Sequence, residues 1–204
     1  GTGFNHYGYG THSVAIQSDG KILAGGSFVT YNDVSQNGIA RINTDGSLDT
    51  SFSVGTGLGA TYQDGIYVPA IAIQSDNKIL IGGTFYSYNG SSRNHIVRVN
   101  SNGSIDTSFN TGSPGFSAGV RSIVIQSDGK VLVGGQFQYY GFTLNRALIR
   151  LNTTQYTLSY TAGTNGSLTG SISQTVVFGG SGTAVTPVPD SGYAFVNWSD
   201  GSTQ

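Results

Sequence analysis

The sequence predicts an all-β protein: a propeller-type array of about three four-stranded blades, incomplete, followed by a small separate β-module. Three observations carry this expectation. The run VAIQSDGKILAGGSF opened by Val14 returns as IAIQSDNKILIGGTF from Ile71 and as IVIQSDGKVLVGGQF from Ile123, and self-similarity at a near-fixed period marks repeat architectures. Asp-Gly pairs between short apolar runs recur within the repeats, and they are strong hairpin signals because Gly tolerates the positive φ of the turn. Finally, 32 of the 204 residues are glycine. Ser, Thr, Asn and Val are also abundant while good helix formers are scarce, which argues against helical bundles.

Within a repeat the elements follow in order. Val14 to Gln17 is the first strand, and Ser18-Asp19-Gly20 makes a tight turn. In the second repeat Asn77 replaces that glycine, and Asn is the next best residue at positive φ. Lys21 to Phe28 is the second strand; its Ile22-Leu23-Ala24 core does not alternate, so both faces are expected to be covered. Ile39 to Asn43 is the third, Asp45-Gly46 a further turn, and Leu48 to Phe52 a short fourth strand. Four strands in about 50 residues, in small sheets buried on both faces, describe a propeller blade. A β-solenoid is the alternative, with shorter coils and without two hairpins per unit.

Landmarks keep their spacing from repeat to repeat. Gln17 to Phe52 aligns with Gln74 to Phe109 without a gap. Gly25-Gly26, Gly82-Gly83 and Gly134-Gly135 precede Arg41, Arg98 and Arg150 by one interval, and Phe28, Phe85 and Phe137 precede Tyr31, Tyr88 and Tyr140 by another. The lysines Lys21, Lys78 and Lys130 share one position. Length varies only between repeats, as in loops. The organisation is residues 1–154 as repeats (1–13 the tail of a preceding repeat, then 14–70, 71–122 and 123–154) and 155–204 as the second module.

The array looks incomplete at both ends. After Asn152 the third repeat reads Thr153-Thr154-Gln155, without the Asp-Gly turn or fourth strand, and Gly1-Thr2-Gly3 matches Gly55-Thr56-Gly57. The chain has no methionine, so it is expected to be a processed or partial product of something longer. Three blades fall short of the four to eight that close a propeller. The array is therefore expected to need more chain or another copy, with the open edge of the Arg150 strand paired from outside residues 1–154. The donor would be a segment preceding Gly1, a neighbouring subunit, or Tyr156 to Thr161 folding back.

After Gln155 lysine and arginine vanish. Tyr156 to Thr161 alternates as a strand, and Thr164-Asn165-Gly166-Ser167 is a hairpin turn. Thr175 to Phe178 and Thr183 to Val185 read as strands, Pro187 and Pro189 demote their stretch to an edge or loop, and Gly192 to Trp198 alternates again.

QSDGK, GGxF, IARIN and DGSLDTSF, recurring in order, resemble the delta-60 repeat, a bacterial β-propeller-type repeat that implies a fold and no assigned chemistry. The second segment resembles the divergent internalin B-type (Listeria–Bacteroides) repeat, through Tyr156, Leu158, Asn165-Gly166, Gly182-Thr183-Ala184-Val185, Pro189, Gly192-Tyr193, Phe195 and Trp198-Ser199-Asp200-Gly201. That likeness implies a small β-grasp-like module of bacterial surface proteins. Pro187 stands where the family more often has a small residue. The chain also reaches Gln204 before the family's last strands, which implies exposed edges and a poorly buried Trp198 unless more chain follows.

Composition excludes several chemistries. Without cysteine there is no disulfide scaffold, thiolate metal site or cysteine nucleophile. A net charge of −1 gives no footprint for nucleic acid, and no apolar run approaches the ~18 residues of a membrane-spanning helix. All ten carboxylates are aspartates. Asp19, Asp45, Asp76 and Asp128 sit in turns, where they cap backbone, and Asp49 and Asp106 can pair with Arg41 and Arg98 as ties between strands. Calcium would require clustered DxDxDG ligands that are missing here. His6, His12 and His95 lack metal-ligand spacing, and no serine sits in a GxSxG elbow. No catalytic residue, metal site or cofactor is expected.

Aromatics in the loops before the first strands offer the one candidate site: His6, Tyr7, Tyr9, Tyr62, Gln63, Asp64, Tyr67 and Phe116. Equivalent loops of a radial array share a face, so these residues would form a Tyr-rich rim suited to a glycan or protein ligand. The expected function is a non-catalytic bacterial surface or secreted repeat protein, acting in adhesion, in ligand binding or as an extracellular spacer. Two other classes stay open: a phage virion fibre or decoration protein, favoured by symmetric trimers, and an accessory region of a larger extracellular hydrolase, favoured by a cleft with paired carboxylates.

Overall fold

The computed structural model describes residues 1–60, 65–109, 115–152, 155–177 and 182–199, with side chains described at all of these except 6–9, 155, 156 and 177. All regular structure among them is β, and every ladder is antiparallel. The chain divides into two compact units, residues 1–152 and 153–204.

In the first repeat β1 (Phe4–Ile16), β2 (Ile22–Tyr31), β3 (Val34–Ser35) and β4 (Ile39–Ile42) form one sheet with β2 in the middle. The second repeat splits the same path in two. β5 (Leu58–Gly59), β8 (Ser87–Tyr88) and β9 (Ser91–Ser92) make a small sheet, while β6 (Tyr67–Ile73), β7 (Ile79–Thr84) and β10 (Ile96–Val99) make the main one. The third pairs β11 (Val120–Ile125), β12 (Val131–Gly135) and β15 (Leu148–Leu151), with β13 (Tyr139–Tyr140) and β14 (Thr143–Leu144) as its small hairpin.

Turn chemistry explains the first hairpin of each repeat. Gly20, Asn77 and Gly129 all have positive φ, at 81°, 62° and 79°, and Asp19, Asp76 and Asp128 accept the backbone N–H of Lys21, Lys78 and Lys130. Each aspartate thus holds the turn that its neighbour's left-handed backbone closes. A second hairpin per repeat escapes the sequence pattern. Asn32-Asp33 and Asn89-Gly90 have positive φ at both positions, the signature of a type I′ turn, but the strand that follows each has two residues, too short to show alternation.

The expected fourth strand, Leu48 to Phe52, is a correction. Only single bridges form there, Ile42 to Leu48 and Val99 to Ile105. Immediately afterwards Asp49 Oδ1 accepts the Ser51 N–H and hydroxyl, which turns the chain away from the sheet. The main ladders, β1-β2-β4, β6-β7-β10 and β11-β12-β15, therefore have three strands each, with β3 added at the end of β2 in the first repeat. The expectation that outside chain completes the Arg150 strand is not met within this protein either. Among the described residues β15 pairs with β12 alone, and Gln155–Ser159 pairs elsewhere.

The main sheets pack face to face. Leu23 and Ile39 of the first repeat share a core with Ile79, Ile81, Val97 and Val99 of the second, and Leu80 and Ile96 of the second with Val131, Val133 and Leu151 of the third. Burial on both faces of β2 and β7, from Leu23-Ala24 to Ile79-Leu80-Ile81, accounts for their non-alternating apolar runs. Each such Leu or Ile side chain contributes about 1.5–3 kcal/mol by leaving water.

The Gly-Gly pairs do two different jobs. A Cβ on Gly25 would lie 2.6 Å from Val68 Cγ1 of the next repeat, and one on Gly82 would lie 2.5 Å from Val120 Cγ1. The second glycine instead faces its own repeat, where a Cβ on Gly26, Gly83 or Gly135 would overlap the carbonyl of Gly10, Tyr67 or Gly119. The first strand bulges there, with register shifts around Thr11, after Tyr67 and after Val120, bringing backbone onto backbone.

The second unit contains β16 (Gln155–Ser159), β17 (Gly166–Gly170), β18 (Ser173–Val177) and β19 (Val185–Pro189). β16 pairs with β18 and β17 with β19, so the Thr164–Ser167 turn links two sheets instead of closing a hairpin. Both prolines lie in β19, which has a single partner, as proline's missing donor allows. Gly192 to Trp198 forms no strand; Phe195 and Trp198 pack ring to ring there at 5.4 Å.

Candidate functional site

The first strand of each repeat bulges at one shared position. Position-equivalent residues there are His12, Pro69 and Arg121. The bulge after Tyr67 turns its ring toward both neighbouring repeats. The His12 ring stands 4.3 Å from the Tyr67 ring, tilted by 48°, and the Arg121 guanidinium carbon lies 4.7 Å from the centre of the same ring. Three repeats thus contribute one side chain each to a single His–Tyr–Arg stack.

Hydrogen bonds fix both ends of the stack. His12 Nε2 lies 2.9 Å from Ser27 Oγ, and Arg121 Nη2 donates to Gln136 Oε1 at 2.8 Å. Burial lowers the His12 pKa from its usual value, favouring the neutral ring. Arg121 is exposed, and contact with the ring quadrupole adds about 0.5–1 kcal/mol at such a site. With both neighbours against it, Tyr67 serves as a prop that holds the guanidinium at the edge.

Of the residues expected at the rim, Tyr67 is half-buried in this stack. His6, Tyr7 and Tyr9 have backbone in β1, but their side chains are not described; Tyr62, Gln63 and Asp64 lie outside the described residues. Phe116 is a correction. It is 2% exposed and packs on Phe137 at 4.6 Å and Tyr140 at 4.9 Å. It is in fact repeat-locked, since Phe4, Leu58 and Phe116 each follow Gly3, Gly57 and Gly115. Phe4 packs on Phe28 and Tyr31 in the same manner. The GTGF, GTGL and SPGF strings carried that signal. His12 and Arg121 were missed, because their contacts with Tyr67 exist only when the repeats are stacked.

A second polar feature is buried. Arg41 Nε and Lys21 Nζ both donate to Asp49 Oδ2, at 2.8 and 2.7 Å. Arg98 Nε binds Asp106 Oδ2 at 2.8 Å, with Lys78 Nζ 3.2 Å from the same oxygen. The guanidinium groups also cover the Phe52 and Phe109 rings. Burial pulls both carboxyls upward, but the bonds from Lys21, Ser51 and Arg41, and from Ser108, Arg98 and Lys78, outweigh it and leave them below the usual range. Such saturated carboxylates act as ties between strands, with no proton to exchange near neutral pH. Among the described residues no cluster of three or more His, Asp or Glu side chains is placed to hold a metal.

Within the second unit, an open groove of about 490 Å³ is lined by Tyr160, Asn165, Tyr193, Phe195 and Trp198 among others. Tyr160 meets Trp198 edge-on at 5.8 Å. No helix among the described residues is long and apolar enough to cross a membrane.

Stacked three-stranded sheets with a glycine pair at every contact define a β-propeller-type repeat protein, here joined to a separate β-unit. Residues 17–52, 74–109 and 126–154 match the family described as a domain of unknown function (DUF5122) beta-propeller, and residues 156–204 match the divergent InlB B-repeat domain. The chain carries DUF5122 propeller repeats followed by a divergent InlB B-repeat domain, and this pairing fits a bacterial surface repeat protein. No curated protein matches it.

Proposed function

We propose that this protein is a non-catalytic recognition module displayed outside the bacterial cell, and that the edge around Arg121 binds a carboxylate-bearing glycan. One observation carries the reading: an exposed guanidinium, braced on Tyr67 and tethered to Gln136, is presented at the point where three repeats meet. A braced arginine loses less side-chain entropy on binding, and its planar fork suits a carboxylate. The buried carboxylates elsewhere are neutralised by fixed cations, which supports a role without catalysis.

A glycan array probed with the full 204-residue chain tests the proposal. Acidic glycans should be retained, retention should fall about tenfold or more in Arg121→Ala, and neutral glycans should be ignored. Equal binding of the parent and Arg121→Ala sinks the assignment. Turnover of any bound glycan removes the non-catalytic part of it.

A further inference from the structure

When glycine follows asparagine, its backbone nitrogen can attack the carboxamide of its neighbour, because no Cβ shields that nitrogen. The chain holds four such pairs, Asn37-Gly38, Asn89-Gly90, Asn102-Gly103 and Asn165-Gly166. Attack requires a free glycine N–H and a carboxamide at liberty to turn toward it. The fold withholds one or both at the first three pairs.

Gly38 is buried and its N–H donates to the Phe28 carbonyl at 2.9 Å, while Asn37 Nδ2 donates to the Thr56 carbonyl. The Gly103 N–H donates to the Asn100 carbonyl at 2.9 Å, and Asn102 Oδ1 accepts both the N–H and the hydroxyl of Ser104. At the second pair the Asn89 carboxamide is wedged against Gly55, and its Oδ1 accepts the Thr56 N–H at 3.2 Å. Asn165 differs on each count. Its side chain is exposed and makes no hydrogen bond among the described residues. Opposite Gly166 in the β17–β19 ladder stands Pro189, which has no N–H to give. The Asp190 N–H donates to the Asn165 carbonyl, which fixes Gly166 and Pro189 as a non-hydrogen-bonded pair of an antiparallel ladder. The Gly166 N–H therefore points away from β19, the one partner of β17 among the described residues.

We propose that Asn165 is a self-modification site, at which asparagine passes through a cyclic imide to aspartate and isoaspartate. The Gly166 nitrogen gives its proton to water and bonds to Asn165 Cγ; the Cγ–Nδ2 bond breaks, and Nδ2 leaves as ammonia with a proton returned from water. A second water molecule then opens the imide. Opening at Cγ leaves aspartate, and opening at the backbone carbonyl carbon leaves isoaspartate, with the chain running through Cβ and Cγ. Water is the sole co-reactant. Either product adds a negative charge to the groove that Asn165 lines. Isoaspartate also lengthens the backbone by one carbon at the residue whose carbonyl holds the Asp190 N–H. The site stands apart from the glycan reading, whose residues lie in the other unit.

The test is incubation of the full chain in warm, mildly alkaline buffer, followed by tryptic peptide mapping. Trypsin separates the four pairs into peptides 22–41, 79–93, 99–121 and 151–204. Peptide 151–204 should exchange NH2 for OH by mass at least about tenfold faster than the other three, and isoaspartyl methyltransferase should label it. Asn165→Gln should leave that peptide unchanged, since its longer side chain closes a six-membered ring far more slowly. In denaturant the four peptides should convert at similar rates, because only the fold separates them. Earlier conversion of any other peptide in the folded chain overturns the proposal. So does an unconverted 151–204 over a period in which the denatured chain reacts, labelling that persists in Asn165→Gln, or a rate difference that survives denaturation.

Discussion

Arg98 is 2% exposed, and its charge is balanced inside the fold by Asp106. Replacing Asp106 by Ala strands that guanidinium and should cost about 3–5 kcal/mol in denaturant unfolding. Asp45→Ala, in an exposed turn, should cost under about 1 kcal/mol. The same buried carboxyls set an acid limit. Their folded-state pKa values lie below the usual 3.8, so the stability they add is complete above the unfolded-state value. It is lost as pH falls through about 4 toward the folded-state values. Urea midpoints measured against pH should drop below about pH 4, and the drop should shrink in an Asp49→Asn, Asp106→Asn double variant.

Short elements with left-handed corners build each blade, and their residues differ in how well they suit that backbone. Gly38, His95 and Ala147 occupy one repeat position with φ of 77°, 68° and 64°. Glycine takes this conformation freely, while alanine pays about 1–2 kcal/mol. Ala147→Gly should therefore stabilise the third repeat by about 0.5–1 kcal/mol after the added freedom of the unfolded chain is subtracted. Thermal unfolding reads this directly, and a lower midpoint would refute the strain. His95 holds the corner with its Nδ1–H donating to the Gly83 carbonyl and its ring meeting Tyr86 edge-on.

Across the whole molecule, stability should follow the number of neighbours a repeat has, as in other stacked arrays. Leu80 lies in the contact between the second and third repeats and is 0% exposed. Leu132 holds the same repeat position on the outer face of the third and is only half-buried. Leu80→Ala should cost about 2–5 kcal/mol, and Leu132→Ala less than half as much, when both are measured by denaturant unfolding at concentrations where the chain is monomeric. Equal costs would mean that the third repeat's outer face is covered within the monomer.

Much of this was legible in the sequence because it is local or repeated. The Asp-Gly turns, the non-alternating strands, the Gly-Gly pairs and the Arg41–Asp49 and Arg98–Asp106 ties are written as short motifs. Backbone preference and burial act on neighbouring residues there, and three copies remove the ambiguity. Tertiary structure decided what depends on distant partners. Asp49 turning onto Ser51 removed the fourth strand, and pairing across the second unit overrode the Asn165-Gly166 hairpin signal. Phe116 went into the core because Phe137 and Tyr140 wait beside it. The His12–Tyr67–Arg121 stack exists only because three sheets are superposed: its members lie more than fifty residues apart, and no local preference links residues at that distance. Burial and ring contacts join them once the sheets pack.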